Sequence, residues 1–145
     1  EAVFIGLEAA IRQMRVLTAE DNRTNQLVFA KMVKDLDIDL RFAGDGRDAI
    51  EVWRSFQPDL IFMDISMPEM DGKAAMRAIR AEEKERGGHV PICALTAYAL
   101  EGENVEMLRA GADHYLTKPL KRTAIEARIA AHRPADSRPL AKEAE

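Results

Sequence analysis

An α/β fold, with a five-stranded parallel sheet covered by helices on both faces, is what this sequence predicts. Three observations predict it. Short apolar runs alternate with longer stretches whose apolar residues recur at helical spacing. The short runs are continuously apolar, as strands buried on both faces are. At 145 residues the chain has enough material for one domain with a real core and too little for two.

The elements follow in order. Arg15-Val16-Leu17-Thr18-Ala19 is the first strand, and Glu20-Asp21 closes it. Residues 23–36 set Leu27, Val28, Met32, Val33 and Leu36 at a helical period. Leu40-Arg41-Phe42-Ala43 makes a second strand, stopped by Gly44-Asp45-Gly46. Residues 47–56 put Ala49, Ile50, Trp53 and Phe56 on one helical face, with Trp53 toward the core. Pro58 opens the third strand, "DLIFMD", which ends on Asp64. A third helix is expected over 72–86 with Ala75, Met76 and Ile79 inward; its closing run "RAEEKERGG" reads as a solvated face and a glycine stop. "VPICALT" is the fourth strand, 101–110 a helix stopped by Gly111, "DHYLT" the fifth strand and 121–132 the last helix.

This places the domain over residues 14–132, with an N-terminal extension or linker at 1–13 and a tail or linker at 133–145. The tail, "RPADSRPLAKEAE", has the composition of a linker or frayed end. A start at Glu1 with Met14 inside reads as an excised piece, or as extra residues ahead of a natural start. No stretch approaches the roughly 20 apolar residues of a membrane helix, and "EAVFIGLEAAI" lacks the basic start of a signal peptide. A net charge of −4 argues against direct nucleic-acid binding. The single Cys93 excludes an internal disulfide, suits a reducing cytoplasm, and by its apolar surroundings is a packing residue. His89, His114 and His132 show no ligand spacing, and Met63, Met67, Met70 and Met76 read as packing.

In open parallel sheets, ligands sit at the carboxyl ends of the strands. Glu20-Asp21 ends the first strand, Asp64 the third, Thr96 the fourth and Thr117-Lys118-Pro119 the fifth. Each residue has a bland alternative. Glu20, Asp21, Asn22 and Asn25 could serve the start of a helix, and for both asparagines that reading is preferred. Asp64 could be a turn residue, Thr96 a strand-end hydroxyl, Lys118 a surface charge. Their convergence on one sheet edge is what carries weight. Three carboxylates there repel one another unless a hard divalent cation neutralises them. An adjacent hydroxyl and ammonium suit a phosphoryl group, whose transfer depends on positioning and charge neutralisation.

The stretches "RVLTAEDNRTN", "PDLIFMDISMPEMDG", "VPICALTAYAL" and "AGADHYLTKPL" resemble the receiver domain of two-component response regulators, over about residues 14–132. The resemblance implies a flavodoxin-like (βα)5 fold with strand order 2-1-3-4-5. It implies that Asp64 is the phosphoacceptor, taking phosphate from a phosphohistidine of a sensor histidine kinase or histidine phosphotransfer protein. Mg2+ (or Mn2+) would be held by Glu20, Asp21, Asp64 and the Ser66 carbonyl. Thr96 and Lys118 would bind phosphoryl oxygens, with small Ala97 leaving their path open. The Lys118-Pro119 bond would be cis, turning the ammonium inward. Thr96 and Tyr115 would form the switch, Tyr115 alternatively being a half-buried strand aromatic. Ser66 and Tyr98 would tune the lifetime against autophosphatase hydrolysis. Glu69 and Asp71 would serve helix entry and partner contact. The fourth helix, fifth strand and fifth helix would carry output, including a phosphorylation-dependent dimer.

Glu20-Asp21-Asn22 with Asn25, and "ALTAYALEGE", resemble the receivers of hybrid histidine kinases, whose parent can be membrane-attached while the receiver is cytoplasmic. A free-standing single-domain regulator and a degenerate, phosphorylation-independent binding module are the alternatives. A haloacid-dehalogenase-like phosphatase would want an acid where Ser66 stands, as general acid for the leaving group. A flavin-binding module would meet repulsion between its phosphate and Glu20-Asp21.

Overall fold

The apolar runs form β1 (Met14–Ala19), β2 (Ile38–Ala43), β3 (Leu60–Asp64), β4 (Ile92–Thr96) and β5 (His114–Thr117). Between and after them lie α1 (Arg23–Met32), α2 (Gly46–Phe56), α3 (Gly72–Arg86), α4 (Glu101–Ala110) and α5 (Arg122–Ala131). The computed structural model describes residues 11–67, 70–97 and 101–141, with 101–104 described by backbone alone. Every strand pair is parallel, and the order is β2-β1-β3-β4-β5, as the sequence led one to expect. The order reverses direction between β1 and β3, so the crevice of an open sheet falls where those two strands end.

Alternate strand residues feed two cores. Leu17, Ala19, Ile61, Met63, Ile92 and Ala94 pack against Ile50, Met76, Ile79 and Met107 of α2, α3 and α4. Val16, Leu60, Phe62, Cys93 and Leu95 pack against Phe29, Ile125 and Ile129 of α1 and α5. All five residues of β3 are buried, because it is the central strand. Phe62 meets Phe29 edge-on, with ring centroids 5.2 Å apart. Burial pushes the Cys93 thiol up to about 12, which suits packing and not reactivity.

Three helices start on a side-chain cap of the expected kind. Asn22 accepts from the Asn25 amide, Asp45 from that of Asp48 and Asp71 from that of Ala74. Helix α1 stops at Met32, four residues short of the periodic pattern. Beyond it the Lys34 and Leu36 amides turn back to Lys31 and Val33, and Asp37 donates to the Leu140 carbonyl. Val33 and Leu36 still pack into the core, so the apolar period outlasts the helix.

Two readings of surface segments change. In "RAEEKERGG", Glu83 is 8% exposed and bridges Arg80 to the Val90 amide. Arg80 also reaches the carbonyls of Val90 and Gly111 and the carboxylate of Asp113, so it ties α3 to the segments that lead into β4 and β5. The solvated face expected there is in part an internal ionic staple. The segment after His132, expected as a linker or frayed end, lies on the body as far as Ala141. Arg12 and Ser137 form a parallel bridge, Leu36 and Ala141 an antiparallel one. Leu140 packs on the α1/α5 core, and Arg138 pairs with Asp37. Arg12 grips Asp59 through two hydrogen bonds of 2.7 and 2.8 Å. Burial opposes ionisation of Asp59, but Arg12 and the Arg15 amide outweigh it and hold its carboxyl below the usual range.

Among the described residues, no helix is long and apolar enough to cross a membrane. The His114 and His132 rings meet at a 50° tilt with centroids 5.3 Å apart, and His89 pairs with Asp113, so the histidines serve packing and surface contacts.

Candidate functional site

The parallel sheet delivers its polar strand-end residues to one edge. Glu20 and Asp21 follow β1, Asp64 ends β3, Thr96 ends β4 and Lys118 follows β5. Asp64 is 2% exposed, Glu20 6% and Thr96 1%, while Asp21 is exposed. One oxygen from each of Glu20, Asp21 and Asp64 lies within 4.8 Å of the other two. The Lys118 ammonium donates to Asp64 Oδ2 at 2.8 Å, and the Ser66 amide donates to Oδ1 at 2.9 Å. The Lys118 amide donates to the Thr96 carbonyl at 2.7 Å, and the Lys118-Pro119 bond is cis. Asp64 is therefore a buried carboxylate with both oxygens oriented by donors from different elements.

The cluster carries a deficit of positive charge. Burial, then the neighbouring Asp64, push the Glu20 carboxyl up to about 7. Glu20 Oε2 is buried without a hydrogen-bond partner in the structure. An orphaned carboxylate oxygen among three converging acids is what a hard cation with oxygen ligands satisfies. The donor set fits Mg2+ or Mn2+, with one protein ammonium left to face an anionic group.

Two residues at the site go beyond the sequence reading. Asn25, read as a helix-start residue, does not cap α1, since its backbone amide is the donor to the Asn22 cap; its side chain lies beside Glu20 and favours the charged form of that carboxyl. Gly72 begins α3 so close to Asp64 that a Cβ there would collide with the Asp64 carbonyl and lie 2.8 Å from Ile65 Cα. No sequence signal marks a glycine selected for close backbone approach. Gly46 similarly fits under Met70, whose carbonyl accepts from the Gly46 amide, and so fixes the loop after Asp64 to α2.

Tyr115 lies in register with Ala94, on the sheet face that Thr96 shares, and is 38% exposed. Asp71 caps α3, as expected of a helix-entry acid. Tyr98 and Glu69 lie outside the described residues.

The sequence model of the response regulator receiver domain matches residues 16–130. The chain is 39% identical over 123 residues to hybrid signal transduction histidine kinase I of Dictyostelium discoideum, covering 79% of this chain and 7% of that protein. The chain thus spans about a tenth of the length of the curated relatives it matches first. It is 38% identical to the receiver domain of sensor histidine kinase PA1611 from Pseudomonas aeruginosa, with a TM-score of 0.74 over 83% of this chain and 97% of that one. That structure holds a magnesium ion in its active-site cleft. The receiver domain of Ssk1 from Saccharomyces cerevisiae, solved with the histidine phosphotransfer protein Ypd1, is 31% identical, with a TM-score of 0.79 over 84% of this chain and 90% of that one.

Proposed function

Since this chain belongs to the response regulator receiver domain family, we propose that Asp64 is its phosphoacceptor, charged from a phosphohistidine of a sensor histidine kinase or histidine phosphotransfer protein. The observation that carries this is the setting of Asp64. It is a buried carboxylate at the end of the central strand, held by Lys118 and the Ser66 amide and flanked by two more acids.

In the step proposed, an Asp64 oxygen bonds to phosphorus as the phosphorus–nitrogen bond breaks. The imidazole leaves with that electron pair and takes its proton from solvent. Glu20, Asp21, Asp64 and the Ser66 carbonyl would hold Mg2+ or Mn2+, which supplies neutralisation of the charge shared by acids and phosphoryl oxygens. Lys118 pairs with a phosphoryl oxygen, its backbone held in place by the hydrogen bond that its amide donates to the Thr96 carbonyl. The Thr96 hydroxyl takes another, and small Ala97 leaves the approach open. The reverse loss is hydrolysis, an autophosphatase activity in which Ser66 and Tyr98 tune the lifetime. Movement of Thr96 toward the phosphoryl group, followed by Tyr115, biases a two-state equilibrium of α4, β5 and α5. Exposed Val105, Leu108 and Tyr115 on that face support its use as an output or dimer surface.

The preferred context is a receiver within a cytoplasmic portion of a hybrid sensor kinase, whether or not the parent is anchored in a membrane. Exposed Leu27 and Val28 on α1, beside the acids, support docking of a histidine-bearing partner there. A free-standing regulator is the second context. The degenerate reading is disfavoured because Glu20, Asp21, Asp64, Thr96 and Lys118 are all present at one edge.

The test is phosphotransfer from a phosphorylated histidine phosphotransfer protein in the presence of Mg2+. Intact mass should rise by one hydroxylamine-labile phosphoryl group, and Asp64→Asn should abolish the gain. Undiminished acyl phosphate in Asp64→Asn would sink the assignment.

A further inference from the structure

The backbone that carries Glu20 and Asp21 is held from two sides. The Glu20 amide donates to the carbonyl of Ala43, the last residue of β2, at 2.9 Å. The Glu20 carbonyl accepts from the side chain of Gln26, whose Nε2 donates at 2.8 Å. Gln26 lies in the first turn of α1 and is half-buried. Its own amide donates to the Asn22 carbonyl at 3.0 Å, which fixes where its side chain starts. From there the side chain folds back six residues onto the acid-bearing turn.

Electrostatics gives that grip a consequence. One oxygen from each of Glu20, Asp21 and Asp64 lies within 4.8 Å of the other two, so the carboxylates repel one another. Asp64 cannot retreat, because it ends the central strand and is held by Lys118 and the Ser66 amide. Asp21 is exposed, and its retreat into solvent needs only a rotation of the peptide that joins it to Glu20. The oxygen of that peptide is the one Gln26 holds. The residue type fits the task. A neutral amide donates without competing with a cation for the acids. A glutamate there would set a carboxylate against a carbonyl oxygen and add another negative charge.

We propose that Gln26 is a positioning residue for the divalent cation: by holding the peptide between Glu20 and Asp21, it keeps both carboxylates turned toward Asp64 before the cation arrives. It touches neither the cation nor the phosphoryl group. The proposal rests on the reading of the three acids as a cation site.

The test measures Mg2+ affinity of the full chain by calorimetry, with no phosphodonor present, in the parent, Gln26→Met and Met32→Ala. Gln26→Met keeps side-chain length and helix propensity and removes the donor. It should bind Mg2+ about fivefold more weakly, the scale of one neutral hydrogen bond lost from the binding-competent arrangement. Met32→Ala, at the far end of α1 and packed on the α1/α5 core, should lower the melting temperature. Its Mg2+ affinity should stay within about twofold of the parent, as for independent sites. In the parent, the Gln26 side-chain amide signal by NMR should move with Mg2+ at the calorimetric midpoint. Equal affinity in parent and Gln26→Met overturns the proposal. So does an equal loss in Met32→Ala, which makes the effect one of general stability, and so does a Gln26 amide signal that ignores Mg2+. A parent that binds no Mg2+ overturns the cation reading together with this one, whereas the other three outcomes leave that reading standing.

Discussion

Replacing Gly72 by Ala tests the close seating of α3 on the acid-bearing strand. In a helix, Ala is worth up to about 1 kcal/mol over Gly, so propensity alone predicts a more stable protein. The structure predicts the opposite sign. The new Cβ would collide with the Asp64 carbonyl oxygen, lie 2.8 Å from Ile65 Cα and 3.0 Å from the Asp64 carbonyl carbon. Ordinary contact begins at 3.4 Å. All three atoms are backbone, so relief requires α3 and the end of β3 to separate by roughly one ångström, and overpacking of that kind costs about 1–3 kcal/mol. Gly44→Ala is the control, because a Cβ there meets nothing within 4 Å. Its stability should change by no more than about 0.5 kcal/mol. Urea unfolding of parent and both variants at neutral pH measures the two differences. If Gly72→Ala is as stable as the parent or more so, the close approach is not real and the reasoning fails.

Three more expectations follow from the structure. Without divalent cation, stability should fall as pH rises from about 4.5 to about 7: the unfolded chain ionises Glu20 first, while the folded one keeps its proton until about 7. Glu20→Gln should flatten that limb in thermal melts across the range, and an unchanged slope would contradict the assignment. Asp113 behaves in the opposite sense. Burial opposes its charge, but the Ile92 amide, His89 and Arg80 outweigh burial and lower its pKa. Its contribution is present above the ordinary value of 3.8 and is lost as pH falls through the lowered one, so Asp113→Asn should cost about 2 kcal/mol at pH 7 and make acid unfolding shallower. Phe62→Ala, at a fully buried position stacked edge-on against Phe29, should cost about 3–5 kcal/mol by urea titration. A loss below about 1 kcal/mol would mean that the α1/α5 core is not packed as described.

The strands were legible because each is an unbroken apolar run, and the site because its acids, Thr96 and Lys118 each stand directly after one. What stayed hidden depends on partners distant in sequence. Helix α1 ends early because Asp37 is captured by Leu140, over a hundred residues away, and local periodicity cannot register that. Arg80 and Glu83 look like any charged helix face until Val90, Gly111 and Asp113 are brought against them. Asn25 and Asn22 are the same residue type three positions apart, yet only the fold decides which one caps the helix and which lies beside Glu20. The tail has a linker's composition, and its contacts are two backbone bridges, one leucine and charged side chains such as Arg138 on Asp37, whose partners lie far away in sequence.

The bridge between Arg12 and Ser137 also bears on how the chain could be cut and rejoined. Both flanks run side by side and in the same direction there, so a splice long enough to loop back from one to the other would turn the fold into a ring. The turn after α3 offers a new opening. Gly87 and Gly88 both have positive φ, and nothing crowds the place of a side chain at either. A permuted chain beginning at β4 and ending with α3 would keep every strand pairing and the whole acid edge. The linear order of the five β–α units is thus one reading frame around a circle whose geometry closes without it.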